Sequence, residues 1–186
     1  LREVDELIFF DIEANKKNSI QFSLIDEFAD ECFVPLTVGG GIKSLDDIEN
    51  LLKVGADKVC INSRAVTDIR FVEEAINKYG SQCIVISLDY KKNDEDQKEI
   101  YINSGKTPTG LILENIVEKL NKIEPGEILI TSIDHDGIMN GYDTENIKKI
   151  CKISDVPLIA SGGAGKLDDF HPVSYTHLRA HETIAD

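Results

Sequence analysis

Four carboxylates in this 186-residue sequence stand where short apolar runs end. Asp11 closes LIFFD, Asp89 closes VISLD, and Asp134 and Asp136 close ITSIDHDG. A carboxylate delivered to the mouth of a cleft can move protons or hold substrate hydroxyls; it can equally cap a helix or sit in solvent. Asp89 is the strongest acid/base candidate, because an acid is comfortable after so apolar a run only if it is functional or paired. Asn62 and Ser63 end KVCIN and Thr131 sits in ITSID, so short polar groups share the same positions. His135, between two aspartates, is either a base or an ordinary loop histidine.

A second chemistry lies in the glycines. VPLTVGGGIKSLDD, Val34 to Asp47, returns 122 residues later as VPLIASGGAGKLDD, Val156 to Asp169. Gly-rich turns between a strand and a helix bring successive backbone N–H groups against a phosphate, helped by the helix dipole. One such turn is weak evidence. Two at equivalent places predict a ligand with a phosphate at each end, gripped once by each half of the chain.

These residues need a scaffold that presents strand ends on one face. The runs Leu7–Ile12, Pro35–Val38, Lys58–Asn62, Cys83–Asp89, Glu127–Asp134 and Val156–Ser161 are near-continuously apolar, as strands buried on both faces of a parallel sheet are. Helical patterns such as SLDDIENLLKVGA and RFVEEAINKYG separate them, with a capping box at Ser44/Asp47 and glycine caps at Gly55 and Gly80. The polar stretch KKNDEDQKEIYINSGKTPTG breaks the rhythm and reads as a hairpin. Repeating βα units of about 30 residues, duplicated after four, predict an α/β protein: an incomplete (β/α)8 barrel with strands 2–7 present and strands 1 and 8 missing. Residues 1–170 form that partial barrel. Residues 171–186, HPVSYTHLRAHETIAD, are read as a non-native tail, since YTHLRAHET resembles translated sequencing-adapter DNA. His171, His177 and His181 match no common metal-ligand spacing, so no metal and no cofactor are expected.

Composition narrows the partners. Apolar residues make up 41% and charged residues 29%, with a net charge of −14, which argues against nucleic acid. No apolar run reaches the roughly 20 residues of a membrane span. The four cysteines are scattered, and Cys60 and Cys83, inside apolar runs, read as buried reduced thiols that point to the cytoplasm.

Taken together, DELIFFDI, PLTVGGGI, GADKVCIN, GSQCIVISLD, SGK–TG, GEILITSIDHDG–GYD and PLIASGGAGK resemble the cyclase subunit of imidazole glycerol phosphate synthase, the HisF family, from about Val4 to Phe170. The resemblance implies an enzyme of histidine biosynthesis, a lyase in a glutamine amidotransferase complex. It would take ammonia from a glutaminase (HisH-like) partner and convert a bis-phosphorylated ribulosyl aminoimidazole carboxamide nucleotide into imidazole glycerol phosphate and an aminoimidazole carboxamide ribotide. By that resemblance Asp89 is one of two catalytic aspartates; the other falls on a strand preceding this sequence, so the 186 residues alone are expected to be inactive. Asp11, Gly41, Asn62, Ser63, Ser104, Thr131, Asp136, Gly137, Gly162 and Gly163 would bind substrate. Asp5, Glu6, Asp57, Lys58 and Glu127 would form the ammonia gate and partner interface. INSRAV departs from the family pattern and sets Arg64 beside the first phosphate position. ECFVPL and SLDYKKN are also similar to HisF-like paralogues of nucleotide-sugar amidation in surface-polysaccharide synthesis, which stand as the alternative.

Overall fold

The computed structural model describes residues 5–12, 14, 19–174 and 179–180. The parts of the LREVDE segment before Asp5, together with His177 and His181, lie outside the described residues. The chain divides into two compact units, 1–86 and 87–186.

In the first unit, β1 (Leu7–Phe10), β2 (Leu36–Gly39) and β3 (Lys58–Ile61) lie parallel, with Leu7 opposite Leu36 and Thr37 opposite Lys58. The first residues of β4 (Ile84–Lys92) add a further parallel strand, Val59 opposite Ile84. Every residue of β2 is buried, as an interior parallel strand requires. The crossovers are α1 (Phe22–Glu31), α2 (Leu45–Lys53), a five-residue α3 (Ser63–Thr67) and α4 (Ile69–Tyr79). The expected capping box is present on α2: Ser44 Oγ accepts the Asp47 N–H, and the Asp47 carboxylate accepts the Ser44 N–H. Gly80 caps α4 at φ +90°, and its N–H reaches the Ile76 carbonyl.

Helices α2 and α4 are tied at the surface. Glu49 receives Lys53 at 2.7 Å and Lys78 at 2.9 Å, and the two ammonium groups pull its carboxyl down to about 2, the Lys53 hydrogen bond most strongly. A folded-state value below the ordinary one places the stabilisation above about pH 4.5, and it fades as pH falls toward 2. Glu49→Gln should therefore flatten the acid side of the urea midpoint against pH. Because Glu49 is exposed, the difference should shrink in high salt.

In the second unit, the outer part of β4 turns back through β5 (Lys98–Ile102) and β6 (Thr107–Ile112), both pairings antiparallel, which is the expected hairpin. Then follow α5 (Leu113–Asn121), β7 (Glu127–Ser132), α6 (Thr144–Ile153) and β8 (Leu158–Ser161), with β7 and β8 parallel. The α/β class and the repeating βα order are those of the (β/α)8 type.

Two short stretches of the tail are described. Residues His171–Ser174 make a single helical turn, α7, with Val173 buried, and Arg179–Ala180 form a short strand, β9, parallel to β8. β9 lies on β8 in the register that β3 takes on β2: Ile159 opposite Arg179, as Thr37 opposite Lys58. Among the described residues, no helix is long and apolar enough to cross a membrane.

Candidate functional site

The sequence echo is also an echo of hydrogen bonds. In the first unit, Asp47 Oδ2 accepts the N–H groups of Lys43 at 3.0 Å and Ser44 at 2.9 Å. In the second, Asp169 Oδ2 accepts those of Gly165 at 2.9 Å and Lys166 at 3.1 Å. The strand entries match as well: Leu7 N–H donates to Pro35 O at 3.0 Å, and Ile128 N–H to Pro157 O at 2.9 Å. Register confirms it, since Leu7 opposes Leu36 while Ile128 opposes Leu158. The first strands of the two halves are thus 121 residues apart and the second strands 122, so Asp11 corresponds to Ser132 and Ala14 to His135.

Each glycine turn is closed against the loop after the preceding strand. Gly40 adopts φ +105°, and a Cβ there would meet Asp11 O at 2.4 Å; its counterpart Gly162, at φ +89°, faces Ser132 O at 2.8 Å. Gly41, at φ +71°, has the Ala14 Cβ 2.6 Å from where a Cβ would stand. Gly163, at φ +110°, has Gly141 O at 2.3 Å and the His135 Cβ at 3.1 Å. Only glycine fits these places, both for φ and for space. The turns are tight and backbone-lined, the form an anion cradle takes. The carboxylates of Asp47 and Asp169 already hold amides at the helix ends, so an anion would have to draw on the glycine N–H groups.

In the first unit, Asp11 is buried at 6% exposure, with its carboxylate turned into its own loop. Oδ1 accepts Ala14 N–H at 2.9 Å and Oδ2 accepts Gln21 N–H at 3.3 Å. It braces the loop that closes on Gly40 and Gly41. Asn62 leads into α3, its carbonyl taking the Ala65 and Val66 N–H groups, and Ser63 Oγ donates to Asn62 Oδ1 at 3.1 Å. Arg64 follows on α3. Its guanidinium pairs with Asp68 at 3.0 Å and lies over the Phe71 ring at 5.1 Å, an i,i+4 arrangement its own helix makes easy.

Strand starts carry the other charged group. Glu6 Oε1 accepts Lys58 Nζ at 2.6 Å and Thr37 Oγ1 at 3.1 Å, both charged side chains under a fifth exposed. Lys58→Met should cost about 1–3 kcal/mol in denaturant unfolding, because Glu6 would lose a charged donor in a partly dry place. Asp57 is exposed, and it exchanges bonds with the start of β2: Leu36 N–H to its Oδ2 at 2.8 Å, and its own N–H to Leu36 O at 2.8 Å. Asp5 is exposed.

In the second unit, Asp89 is half-buried on β4, opposite Tyr101 of β5, with Ser87 Oγ 3.4 Å from Oδ1. Ser104 stands at the exposed hairpin tip, where Asn103, Ser104 and Gly105 all take positive φ; a Cβ on Gly105 would lie 3.3 Å from the Ile133 side chain. Thr131, half-buried, opposes Ser161, and the following loop brings Asp136 to Gly162. Gly137 is exposed at φ +72°, with open space where a Cβ would be. Glu127 is buried at the start of β7. His135 is half-buried, its Nδ1 2.8 Å from the buried Ser132 Oγ. This pair sits where the first half has Ala14 and Asp11.

One group escaped the sequence reading. Tyr90, 1% exposed, places its hydroxyl 3.4 Å from Asp143 Oδ2, and Lys98 Nζ meets the same carboxylate at 2.9 Å. Burial, followed by the Asp143 charge, pushes the Tyr90 hydroxyl well above its ordinary range, so it stays protonated at any working pH. The partners are 45 to 53 residues apart, and no local spacing signals them.

With this geometry in place, comparison with known proteins is informative. The chain matches the family described as "Histidine biosynthesis protein" over residues 2–185. It is 45% identical over 170 residues to the imidazole glycerol phosphate synthase subunit HisF of Natranaerobius thermophilus, covering 91% of this chain and 67% of that protein. The same subunit of Dictyoglomus thermophilum is 45% identical over 168 residues, with 90% and 67% covered. That of Clostridium botulinum is 45% identical over 171 residues, with 91% and 68% covered. The chain thus spans about two thirds of the length of these relatives.

Proposed function

We infer, from the premise that this chain belongs to the histidine biosynthesis protein family, that it is the cyclase subunit of imidazole glycerol phosphate synthase, a lyase. The observation that carries this reading is the 45% identity, sustained over 91% of the chain, to a protein bearing that subunit name. The relatives favour the histidine pathway over nucleotide-sugar amidation.

The site roles are those that the resemblance implies. Asp89, on β4 in the second unit, serves as general acid/base in closing the imidazole ring, taking and returning protons at a carboxylate oxygen. The turns at Gly40–Gly41 and Gly162–Gly163 hold the two phosphates through backbone N–H groups, with Asn62 and Ser63 beside the first and Asp136 and Gly137 beside the second. Asp11 shapes its turn. Ser104 and Thr131 line the cleft. The −14 charge supports backbone amides, not a lysine cluster, as the principal phosphate donors.

A glutaminase subunit is the partner, docking on strand starts. There Glu6, Lys58 and Glu127 govern ammonia entry, and Asp5 and Asp57 contact the partner. Residues 1–170 form the catalytic barrel portion and 171–186 a segment foreign to it. The test is ammonium-driven turnover of the bis-phosphorylated nucleotide by a chain of the relatives' full length, with rescue of a histidine auxotroph. A folded protein that neither turns over the nucleotide nor rescues growth overturns the reading.

A further inference from the structure

We propose that Lys98 and Tyr90 are positioning residues for Asp89, acting through Asp143 as a strut between the strand carrying Asp89 and the start of α6. The proposal rests on the reading of Asp89 as the acid/base group.

Successive side chains on a strand point to opposite faces, so Asp89 and Tyr90 are two sides of one piece of β4. Asp89 is half-buried; Tyr90 is fully buried on the other face. One carboxylate gathers three elements there. Asp143 Oδ2 takes Lys98 Nζ from β5 at 2.9 Å and the Tyr90 hydroxyl from β4 at 3.4 Å. Asp143 Oδ1 takes the Asn146 N–H at 3.3 Å, which caps α6. Lys98 also stands 5.8 Å from the centre of the Tyr90 ring.

The Lys98–Asp143 pair is only 21% and 10% exposed. So dry an ion pair is directional, and removing one member strands the other. Beyond Tyr90 the strand turns to solvent, with Lys91 and Lys92 exposed. Two bonds tie its backbone to the loop after β7: Ile133 N–H to Tyr90 O at 2.9 Å, and Lys92 N–H to Asp134 Oδ2 at 2.9 Å. The strut supplies the side-chain anchor for the same stretch. A shift of about 1 Å at a catalytic group can cost on the order of 100-fold in rate, so an anchor one residue from Asp89 bears directly on chemistry.

The test uses the full-length chain with ammonium as the nitrogen source. Lys98→Met should lower kcat by about tenfold per folded molecule, leave KM for the bis-phosphorylated nucleotide within about twofold, and be rescued by Lys98→Arg. Tyr90→Phe, which keeps the buried ring, should move kcat the same way by less. If Lys98→Met lowers only the melting temperature, with kcat per folded molecule unchanged, the strut is structural and the proposal falls. An Asp89→Asn variant run beside these separates the two levels. If it is inactive while Lys98→Met is fully active, only the strut is lost; if it retains turnover, the reading of Asp89 falls and the proposal with it.

Discussion

Asp89→Asn is expected to reduce ammonium-driven turnover on the order of 1,000-fold in a full-length chain, with little change in nucleotide affinity or melting temperature. The side chain is half-buried within β4, three residues before the strand ends rather than at its close as the sequence suggests, with Ser87 Oγ 3.4 Å away. Asparagine keeps the shape and the acceptor oxygen but cannot take a proton, so the loss measures proton transfer, a contribution of about 10²–10⁴ in comparable enzymes. Saturating substrate isolates kcat. Retained turnover would move the acid/base role elsewhere, and His135, held at 2.8 Å from Ser132 Oγ, would be the next residue to test.

The second large effect is on stability. Gly40→Ala and Gly163→Ala should each destabilise by about 2–4 kcal/mol, read as a lower urea midpoint. Both need a left-handed backbone, at φ +105° and +110°, and both would drive a Cβ into a carbonyl, Asp11 O at 2.4 Å and Gly141 O at 2.3 Å. Backbone is the obstacle in each case, so no side chain can turn away to make room. A Gly137→Ala control should cost clearly less: its φ is also positive, but nothing stands within 4 Å of the new Cβ. Equal losses at all three positions would mean that φ alone matters, not the closure of the turns.

Much of this was legible from the chain. The 122-residue echo located both glycine turns, and the shared LDD ending marked Asp47 and Asp169, whose carboxylates hold the same pair of amides in each half. Strand positions followed from apolar runs, because burial on both faces leaves no room for alternation. What sequence could not disclose was side-chain direction. Asp11 reads as a cleft residue, yet its carboxylate is held by Ala14 and Gln21 amides. Arg64 reads as standing beside the first phosphate position, and its guanidinium pairs with Asp68 four residues on. The Tyr90–Lys98–Asp143 group was invisible for a different reason: a hairpin and a helix bring its members together, and no periodicity links them. The one-residue difference between the 121 and 122 spacings is likewise visible only in strand register.

The two capping aspartates carry an implication for how the chain acquires its shape. Asp47 reaches back three and four residues to Ser44 and Lys43, and Asp169 does the same to Lys166 and Gly165. Closing so short a loop costs little entropy and takes well under a microsecond, whereas setting β1 beside β2 must first join residues 29 apart. Each turn can therefore assume its bend while the polypeptide is still emerging from the ribosome, before its strand has found a neighbour. The bends beside the two glycine turns are, on this account, among the earliest fixed points of folding, and the sheet assembles around corners already made.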